Sequence, residues 1–311
     1  MTADLQFLQA ERGLRDEIAA QTAERLGANY SAREWERFQV SEPDPNLFSI
    51  RIGAGSAGCA ALYWSLANVQ ELVMPGFFCE APAPAPGKID LAAEVARSAD
   101  YFYQILLSYY AIEFEEAEAR ELSARASLNL ISRLPDIRER SAWNIFASLK
   151  DPAVWDAFVL RDEKRTEDLG RLSLLTEIDR AIRGRDRGLY LEFLRENGFD
   201  YAYDYQIRLI QRSYPGWRAL LLHEVSNTLA LGAKAAEGRP GAIPAPFLPR
   251  SISQYAASLY QTDLHPETEI GDANFIEHPH RGITTGQTGK IGIGCVIYPC
   301  TLGGVTSSMC S

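Results

Sequence analysis

The segment TDLHPETEIGDANFIEHPHRGITTGQTGKIGIGCVIYPCTLGG, residues 262–304, decides the fold because its core positions recur every six residues. Two series keep this spacing: Leu264, Ile270 and Ile276, followed by Thr285, Ile291 and Ile297. A helix repeats about every 3.6 residues and a strand about every two, so neither explains the pattern. A period of six fits a triangular β-solenoid, in which each short side points one residue into a shared core and a small residue turns the corner.

The chain before residue 262 is typical of helices. Apolar residues recur at helical spacing from Leu5 to Leu26, and the run APAPAPG at 81–87 is a stiff linker because proline fixes the backbone in an extended form. We therefore expect an α+β protein with an all-helical N-terminal region. The predicted domains are a helical extension with a Gly-rich segment and the Pro-rich linker (1–87), a helical domain (88–260) and an incomplete β-solenoid (261–311).

Charge and cysteine content narrow the function classes. With 31 basic and 41 acidic residues the formal net charge is −10, which repels a phosphate backbone or an anionic membrane and predicts neither as a partner. The five cysteines are odd in number and form no Cys-x-x-Cys pair, so no disulfide framework and no metal cluster is expected. The N-terminus lacks the apolar core of a secretory signal peptide, and reduced thiols fit a cytoplasmic protein.

The six-residue pattern places one imidazole where it can react. His278 comes just after the inward position Ile276, so it lies at a corner and faces solvent or a neighbouring subunit. Asp263 precedes His278 by slightly less than one full turn of such a solenoid, so a contact between the two is geometrically plausible. A carboxylate that fixes the tautomer of an imidazole and stabilises its protonated form makes a competent general base.

The same stretch resembles a known family. The segment IPAPFLPRSISQYAASLYQTDLHPETEIGDANFIEH (243–278) is similar to the serine acetyltransferases, whose last helix leads into a D-[IL]-H-P run and then into [DE]-H. The helix SYPGWRALLLHEVSNTLALGAK (213–234) and TLGG (301–304) also match that family. The resemblance implies a left-handed parallel β-helix of hexapeptide repeats, and transfer of acetyl from acetyl-CoA to the hydroxyl of L-serine in cysteine biosynthesis.

The resemblance also implies roles for single residues. His278 matches the general base and Asp263 the acid that orients it. Glu277 stands where the family usually has an Asp that holds the amino acid, so its side chain is one methylene longer. His265 matches a histidine for which we expect a structural role where the coils begin, and His223 is expected to pack inside its helix.

Two further pairs of residues follow from the resemblance with less direct matches. Asp200 and Asp204 are candidates for the helical-domain Asp that binds serine in the family, although neither matches it cleanly. Gly303 and Gly304 match a later coil and are assigned to the binding of acetyl-CoA. Acetyl-CoA is expected as a co-substrate, with no tightly bound cofactor and no metal.

The resemblance has consequences for assembly as well. It implies a homotrimer or a dimer of trimers. After Gly304 the residues VTSSMCS continue no hexad, and the family's G-D-R-H-P segment and its tail that docks on O-acetylserine sulfhydrylase are not found. We therefore expect a C-terminally truncated chain with impaired activity, for which a catalytically inactive scaffold or regulatory subunit is an alternative.

A third interpretation comes from FSIRIGAGSAGCAAL at 48–62. Gly53, Gly55 and Gly58 satisfy G-x-G-x-x-G, which resembles the fingerprint of FAD- or NAD-binding oxidoreductases. That fold needs a parallel sheet, whereas the segments that follow are helical. A glycine-rich turn is therefore preferred, and a yellow flavin-containing preparation would favour the alternative.

Overall fold

A computed structural model of the chain describes residues 12–37, 57–75, 90–112, 114–154, 171–236 and 247–304. Two compact units emerge from it: Met1–Arg138 with Glu224–Ile252, and Glu139–His223 with Ser253–Ser311. The three domains predicted from the sequence (1–87, 88–260 and 261–311) stay a prediction, since the two units follow contacts and not sequence composition. Gly53 and Gly55 lie outside the described residues, and Gly58 falls within a helix.

Most of the described chain is helical. The helices are α1 Arg12–Asn29, α2 Ala32–Arg37, α3 Ala57–Val73, α4 Leu91–Tyr110, α5 Glu116–Ser132, α6 Leu134–Ala147, α7 Arg171–Gly184, α8 Gly188–Glu196, α9 Ala202–Ser213, α10 Gly216–Ala236 and α11 Phe247–Tyr260. Short 3₁₀ turns cover Ser148–Lys150 and Pro279–Arg281. Within the described ranges, no helix combines the length and the apolar character that a membrane crossing requires.

The first unit is held by packing of α1, α4 and α5 on one another. A buried guanidinium satisfies helix ends that packing alone would leave without partners. Arg138 donates to the backbone oxygen of Val73 at 2.6 Å and to that of Asn29 at 2.8 Å, which are the last residues of α3 and α1, and it pairs with Glu34 at 2.9 Å. Because the last carbonyls of a helix have no partner inside the helix, one arginine here stabilises two helix ends.

Among the described residues of the second unit, seven short strands follow the helices. They are β1 Thr262–Leu264, β2 Glu269–Ile270, β3 Phe275–Ile276, β4 Ile283–Thr285, β5 Lys290–Ile291, β6 Val296–Ile297 and β7 Cys300–Leu302. All observed pairings are parallel, and they form three sheets with the strand orders β1-β4-β7, β2-β5 and β3-β6. The chain therefore visits the three sheets in turn and then returns to the first.

We call each such circuit a coil: the first coil is residues 262–282 and the second is residues 283–299. Thr262 pairs with Ile283 and Ile283 pairs with Cys300, so the first coil takes up more of the chain than the second. The inward residues of both coils, with Leu220 of α10, form one buried cluster: Leu220, Leu264, Ile270, Ile276, Ile283, Ile291 and Ile297. The expected combination of many helices with short parallel strands is confirmed.

One polar side chain links the two coils. The amide of Asn274 donates to the backbone oxygens of Gly271 at 2.7 Å and Gly292 at 2.9 Å, and its side-chain oxygen accepts from the N–H of Cys295 at 2.7 Å. Its own backbone N–H donates to the side-chain oxygen of Asn144 in α6 at 3.0 Å. Asn274 is fully buried, and these bonds supply the partners that a buried amide requires.

Thr285 occupies a core position that the repeat predicts to be aliphatic. It is buried, and its hydroxyl accepts from the backbone N–H of His265 at 2.9 Å and meets the hydroxyl of Thr268 at 2.7 Å. The Thr268 hydroxyl also donates to the backbone oxygen of Gly286 at 3.1 Å. The polar residue is therefore tolerated because the coils supply it with hydrogen-bond partners.

Candidate active site

The corner after β3 carries the predicted catalytic histidine. His278 has φ 51° and ψ 48°, the left-handed conformation, and it opens the 3₁₀ turn Pro279–Arg281. Positive φ is uncommon for a residue other than glycine and marks a sharp local turn. The side chain of His278 is 56% exposed, so a substrate can reach the imidazole.

Two groups lie next to this imidazole. The Nε2 atom of His278 is 3.4 Å from the Oε1 atom of Glu277, and the ring of His280 approaches edge-on with 5.7 Å between ring centroids. An imidazole beside a carboxylate is an arrangement that general base catalysis uses.

Glu277 is held from the next coil. Its backbone N–H donates to the oxygen of Ile297 at 2.9 Å, and its carboxylate interacts with the phenol of Tyr298. The side chain of Glu277 is only 14% exposed. The hydrogen bond and the charge of Glu277 raise the pKa of the Tyr298 phenol above its ordinary value.

A second carboxylate, which the sequence did not reveal, belongs to the same neighbourhood. Asp151 follows the turn Ser148–Lys150 and interacts with the phenol of Tyr214. Burial is the main cause that raises the pKa of Tyr214, and the negative charges of Asp151 and Glu277 act in the same direction. Asp151 also influences Tyr298, so the two carboxylates and the two phenols form one cluster.

Asp151 had only a weak signal in the sequence. An Asp that precedes a Pro at the end of a helical stretch is typical of a local turn, and Asp151 does accept a hydrogen bond from the backbone N–H of Ala153 at 2.7 Å. Its second role depends on long-range packing that brings it near Tyr214 and Glu277. No spacing in the sequence encodes that proximity.

The other predicted acids have different surroundings. Asp263 is half-buried in β1, where the hydroxyl of Ser253 donates to it at 3.3 Å, and its contact with His278 stays a prediction. Asp200 accepts from the backbone of Tyr201 at 3.0 Å, and Asp204 pairs with Arg208 one helical turn later at 2.7 Å. Both are exposed, and their predicted role in binding serine also stays a prediction.

His265 and His223 meet where the coils begin. The carbonyl oxygen of His265 accepts a hydrogen bond from the Nε2 atom of His223 at 3.2 Å, and the Nδ1 atom of His265 accepts from the backbone of Glu267 at 3.2 Å. His223 is fully buried, and this burial lowers its pKa to about 4. His223 and His265 therefore hold this part of α10 against the first coil.

The predicted acetyl-CoA residues close the described part of the coils. Gly303 has φ 79°, and a Cβ atom there would lie 2.7 Å from the backbone nitrogen of Gly289. Gly304 donates to the hydroxyl of Thr288 at 2.9 Å and accepts from its backbone N–H at 3.2 Å. Their role in binding acetyl-CoA stays a prediction. Among the described residues, no group of three His, Cys, Asp or Glu side chains is arranged to hold a metal ion.

Curated proteins of known name match about a third of the chain in sequence. No protein-family model matches it. A curated serine acetyltransferase from Synechocystis sp. is 37% identical over 93 residues, which is 29% of this chain and 32% of that relative. A serine acetyltransferase from Synechococcus elongatus is 33% identical over 92 residues, or 29% of this chain and 33% of that relative. The chain thus spans about a third of the length of the curated relatives it matches.

Solved structures extend the likeness to the fold. The native serine acetyltransferase 1 from Entamoeba histolytica superposes on 94% of this chain and 77% of its own, with 18% identity and a TM-score of 0.52. Isoform 3 from the same organism, in complex with cysteine, gives a TM-score of 0.54 at 18% identity over 94% of this chain and 75% of its own. The resemblance to serine acetyltransferases inferred from the sequence is therefore confirmed, in sequence over about 93 residues and in fold over most of the chain.

Proposed function

We propose that the chain is a serine acetyltransferase. His278 takes the proton from the hydroxyl of L-serine as that oxygen attacks the thioester carbonyl of acetyl-CoA. A C–O bond forms, the C–S bond breaks, and the proton passes to the departing thiolate, which gives O-acetylserine and CoA. The observation that carries the proposal is the exposed imidazole of His278 at 3.4 Å from the Glu277 carboxylate.

The carboxylate cluster favours an amino acid as the acceptor. Glu277 and Asp151 are both acids that interact with one phenol each, so each carboxylate keeps acceptor positions for another donor. An α-ammonium group is the donor that suits a pair of carboxylates. We assign the ammonium of serine to this pair, which gives Asp151 the role that the sequence had offered to Asp200 or Asp204.

The remaining assignments belong to the same proposal. The three sheets and the six-residue period support a left-handed parallel β-helix of hexapeptide repeats, with Asp263 as the acid that orients His278 and Gly303 and Gly304 at the acetyl-CoA arm. A cytoplasmic homotrimer or dimer of trimers that serves cysteine biosynthesis is the corresponding assembly. The names of the curated relatives support the proposal over an inactive scaffold and over an FAD- or NAD-dependent oxidoreductase.

The test is acetyl-CoA-dependent release of free thiol by the full chain. L-Serine is compared with N-acetyl-L-serine, which keeps the hydroxyl but lacks the ammonium group, and with a reaction that contains no acceptor. We expect thiol release above the acceptor-free rate with L-serine only. If neither acceptor raised thiol release above the acceptor-free rate, the enzyme assignment would be contradicted. Equal release with both acceptors would contradict the role of the carboxylate pair.

A further inference from the structure

The parallel register places one aromatic residue directly beside Glu277. Phe275 pairs with Val296 and Ile276 pairs with Ile297, so the next residues, Glu277 and Tyr298, occupy equivalent positions on successive coils. Ile276 and Ile297 both point into the core. Because side chains alternate along a strand, Glu277 and Tyr298 share the outer face and are neighbours there.

The environments of these two side chains differ. Tyr298 is 57% exposed, whereas the carboxylate of Glu277 is nearly covered. The register nevertheless places the phenol of Tyr298 beside that carboxylate, and Glu277 is the main cause that raises the pKa of this phenol. A glutamate has three rotatable side-chain bonds, so a fixed donor on the neighbouring coil restricts where its carboxylate lies.

We propose that Tyr298 is a positioning residue of the acetyl-transfer site, which acts by holding the Glu277 carboxylate against His278 and the acceptor ammonium. This inference rests on the proposed function and deepens it. The glutamate is one methylene longer than the family's usual aspartate, and the phenol on the next coil fixes the orientation of that longer side chain.

Asp151 shows why Glu277 in particular needs this support. The Asp151 carboxylate accepts a hydrogen bond from the backbone N–H of Ala153 at 2.7 Å and also interacts with the phenol of Tyr214. The groups described around the Glu277 carboxylate are the phenol of Tyr298 and, at 3.4 Å, the imidazole of His278. Removal of the Tyr298 hydroxyl therefore takes the neutral donor from Glu277 and leaves Asp151 in place.

The decisive variant is Tyr298→Phe, with Tyr201→Phe as the matched control because Tyr201 is also an exposed tyrosine of the second unit. We expect Tyr298→Phe to raise the KM for L-serine about tenfold, the effect of one hydrogen bond to a charged group. The KM for acetyl-CoA should stay within about twofold, since this hydroxyl serves the acceptor side only. Equal kinetics for Tyr298→Phe and the wild type would overturn the inference.

A double-mutant cycle separates positioning from direct substrate contact. If Tyr298 acts through Glu277, Tyr298→Phe should change the KM for L-serine by less than about twofold in the Glu277→Gln background. The full tenfold effect in that background would show a direct role for the phenol and would overturn positioning. Circular dichroism of each variant checks that it is folded.

A measurement that needs no catalysis tests the contact itself. In ¹³C-tyrosine NMR, the resonance that is missing from the spectrum of Tyr298→Phe belongs to Tyr298. The change of this resonance with pH in the wild type gives the pKa of the Tyr298 phenol. We expect Glu277→Gln to lower the pKa of Tyr298, because Glu277 is the main cause of its raised value and Asp151 contributes less. An unchanged titration would overturn the contact, whereas a wild-type chain that releases no thiol would overturn the proposed function instead.

Discussion

The two coils share one core but differ in length, and the difference lies at a single corner. The first coil runs from Thr262 to the residue before Ile283, and the shorter second coil runs from Ile283 to the residue before Cys300. Residues 277–282 connect β3 to β4, whereas only residues 298–299 connect β6 to β7. The longer connection contains His278 and the turn Pro279–Arg281, so the candidate catalytic group lies where the first coil departs from the repeat.

The inserted residues leave the ladder around them intact. Glu277 bonds to Ile297 at 2.9 Å on one side of the corner, and Ile283 bonds to Gln261 at 3.2 Å on the other. The left-handed conformation of His278 costs on the order of 1 kcal/mol, which the surrounding parallel pairing must offset. A regular stack of coils can therefore contain an irregular, exposed corner as long as its inward residues stay in register.

Substitution of the histidine at that corner should have the greatest effect on catalysis. His278→Asn should lower the kcat for acetyl transfer to L-serine about a thousandfold, because general base catalysis contributes on this scale. Lys290→Gln on the second coil should stay within about twofold, since that side chain is exposed and its pairing with Glu269 at 2.9 Å is a surface contact. The measurement is thiol release under saturating substrates. A His278→Asn chain with near-normal kcat would contradict the assignment.

The second prediction concerns acid stability where the first coil begins. The folded-state pKa of His223 is about 4, below its ordinary value of 6.5, so the unfolded chain takes the proton more readily. The free energy of unfolding should therefore be highest above pH 6.5 and fall as the pH drops from 6.5 towards 4. The loss from this residue is on the order of 3 kcal/mol.

Urea unfolding at pH 7 and at pH 5 measures this loss. His223→Gln can still donate to the carbonyl of His265 but does not titrate in this range, so it should show a smaller drop between the two pH values. The carboxylates lower the free energy of unfolding equally in the wild type and in His223→Gln. The difference between the two drops therefore gives the contribution of His223. Equal drops in the two chains would show that His223 has no such role.

The sequence predicted the inner surface of the coils well because that information is local. Ile270, Ile276, Ile291 and Ile297 recur every six residues, and each lies in the core cluster as the period requires. His278 was also predictable, since the same count places it just after an inward position. A short repeat reports its own burial pattern through spacing alone.

The rest of the site depends on information that no spacing carries. Asp151 reaches the cluster through packing between segments far apart in the chain, and its local hydrogen bond to Ala153 gives it an ordinary structural explanation. Tyr298 becomes important because a different coil stacks it beside Glu277. That pairing depends on the extended corner of the first coil, which a strict repeat of hexads does not predict.

Two glycines at the same kind of corner differ in how closely the other coil approaches them. A Cβ atom on Gly271 would lie 2.6 Å from the backbone oxygen of Gly292, whereas one on Gly292 would meet only the Cys295 sulfur at 3.8 Å. We expect Gly271→Ala to lower the free energy of unfolding by about 2 kcal/mol, since backbone must move. Gly292→Ala should leave it unchanged or raise it by less than about 1 kcal/mol. Similar values from urea unfolding for both variants would mean that the coils do not approach each other as closely as described.

The smallest expected effect concerns Thr285, the polar residue in the core of the second coil. The question is whether its hydroxyl lowers or raises the free energy of unfolding. Thr285→Val keeps the shape but removes the hydroxyl that accepts from His265 at 2.9 Å and meets Thr268 at 2.7 Å. If an aliphatic residue were simply better there, the variant would be more stable. We expect instead a loss of about 1 kcal/mol in the free energy of unfolding, because a partly buried N–H loses its acceptor.

The neighbouring residue on the same strand provides the control for that experiment. Thr284 is exposed, so Thr284→Val should change the free energy of unfolding by less than about 0.5 kcal/mol. If the Thr285 hydroxyl stabilises the contact between the two coils, urea unfolding should give a lower free energy of unfolding for Thr285→Val than for Thr284→Val. If the free energy of unfolding of Thr285→Val equalled or exceeded that of the wild type, the hydroxyl would not be needed, and an aliphatic residue would suit this position as the six-residue period predicts.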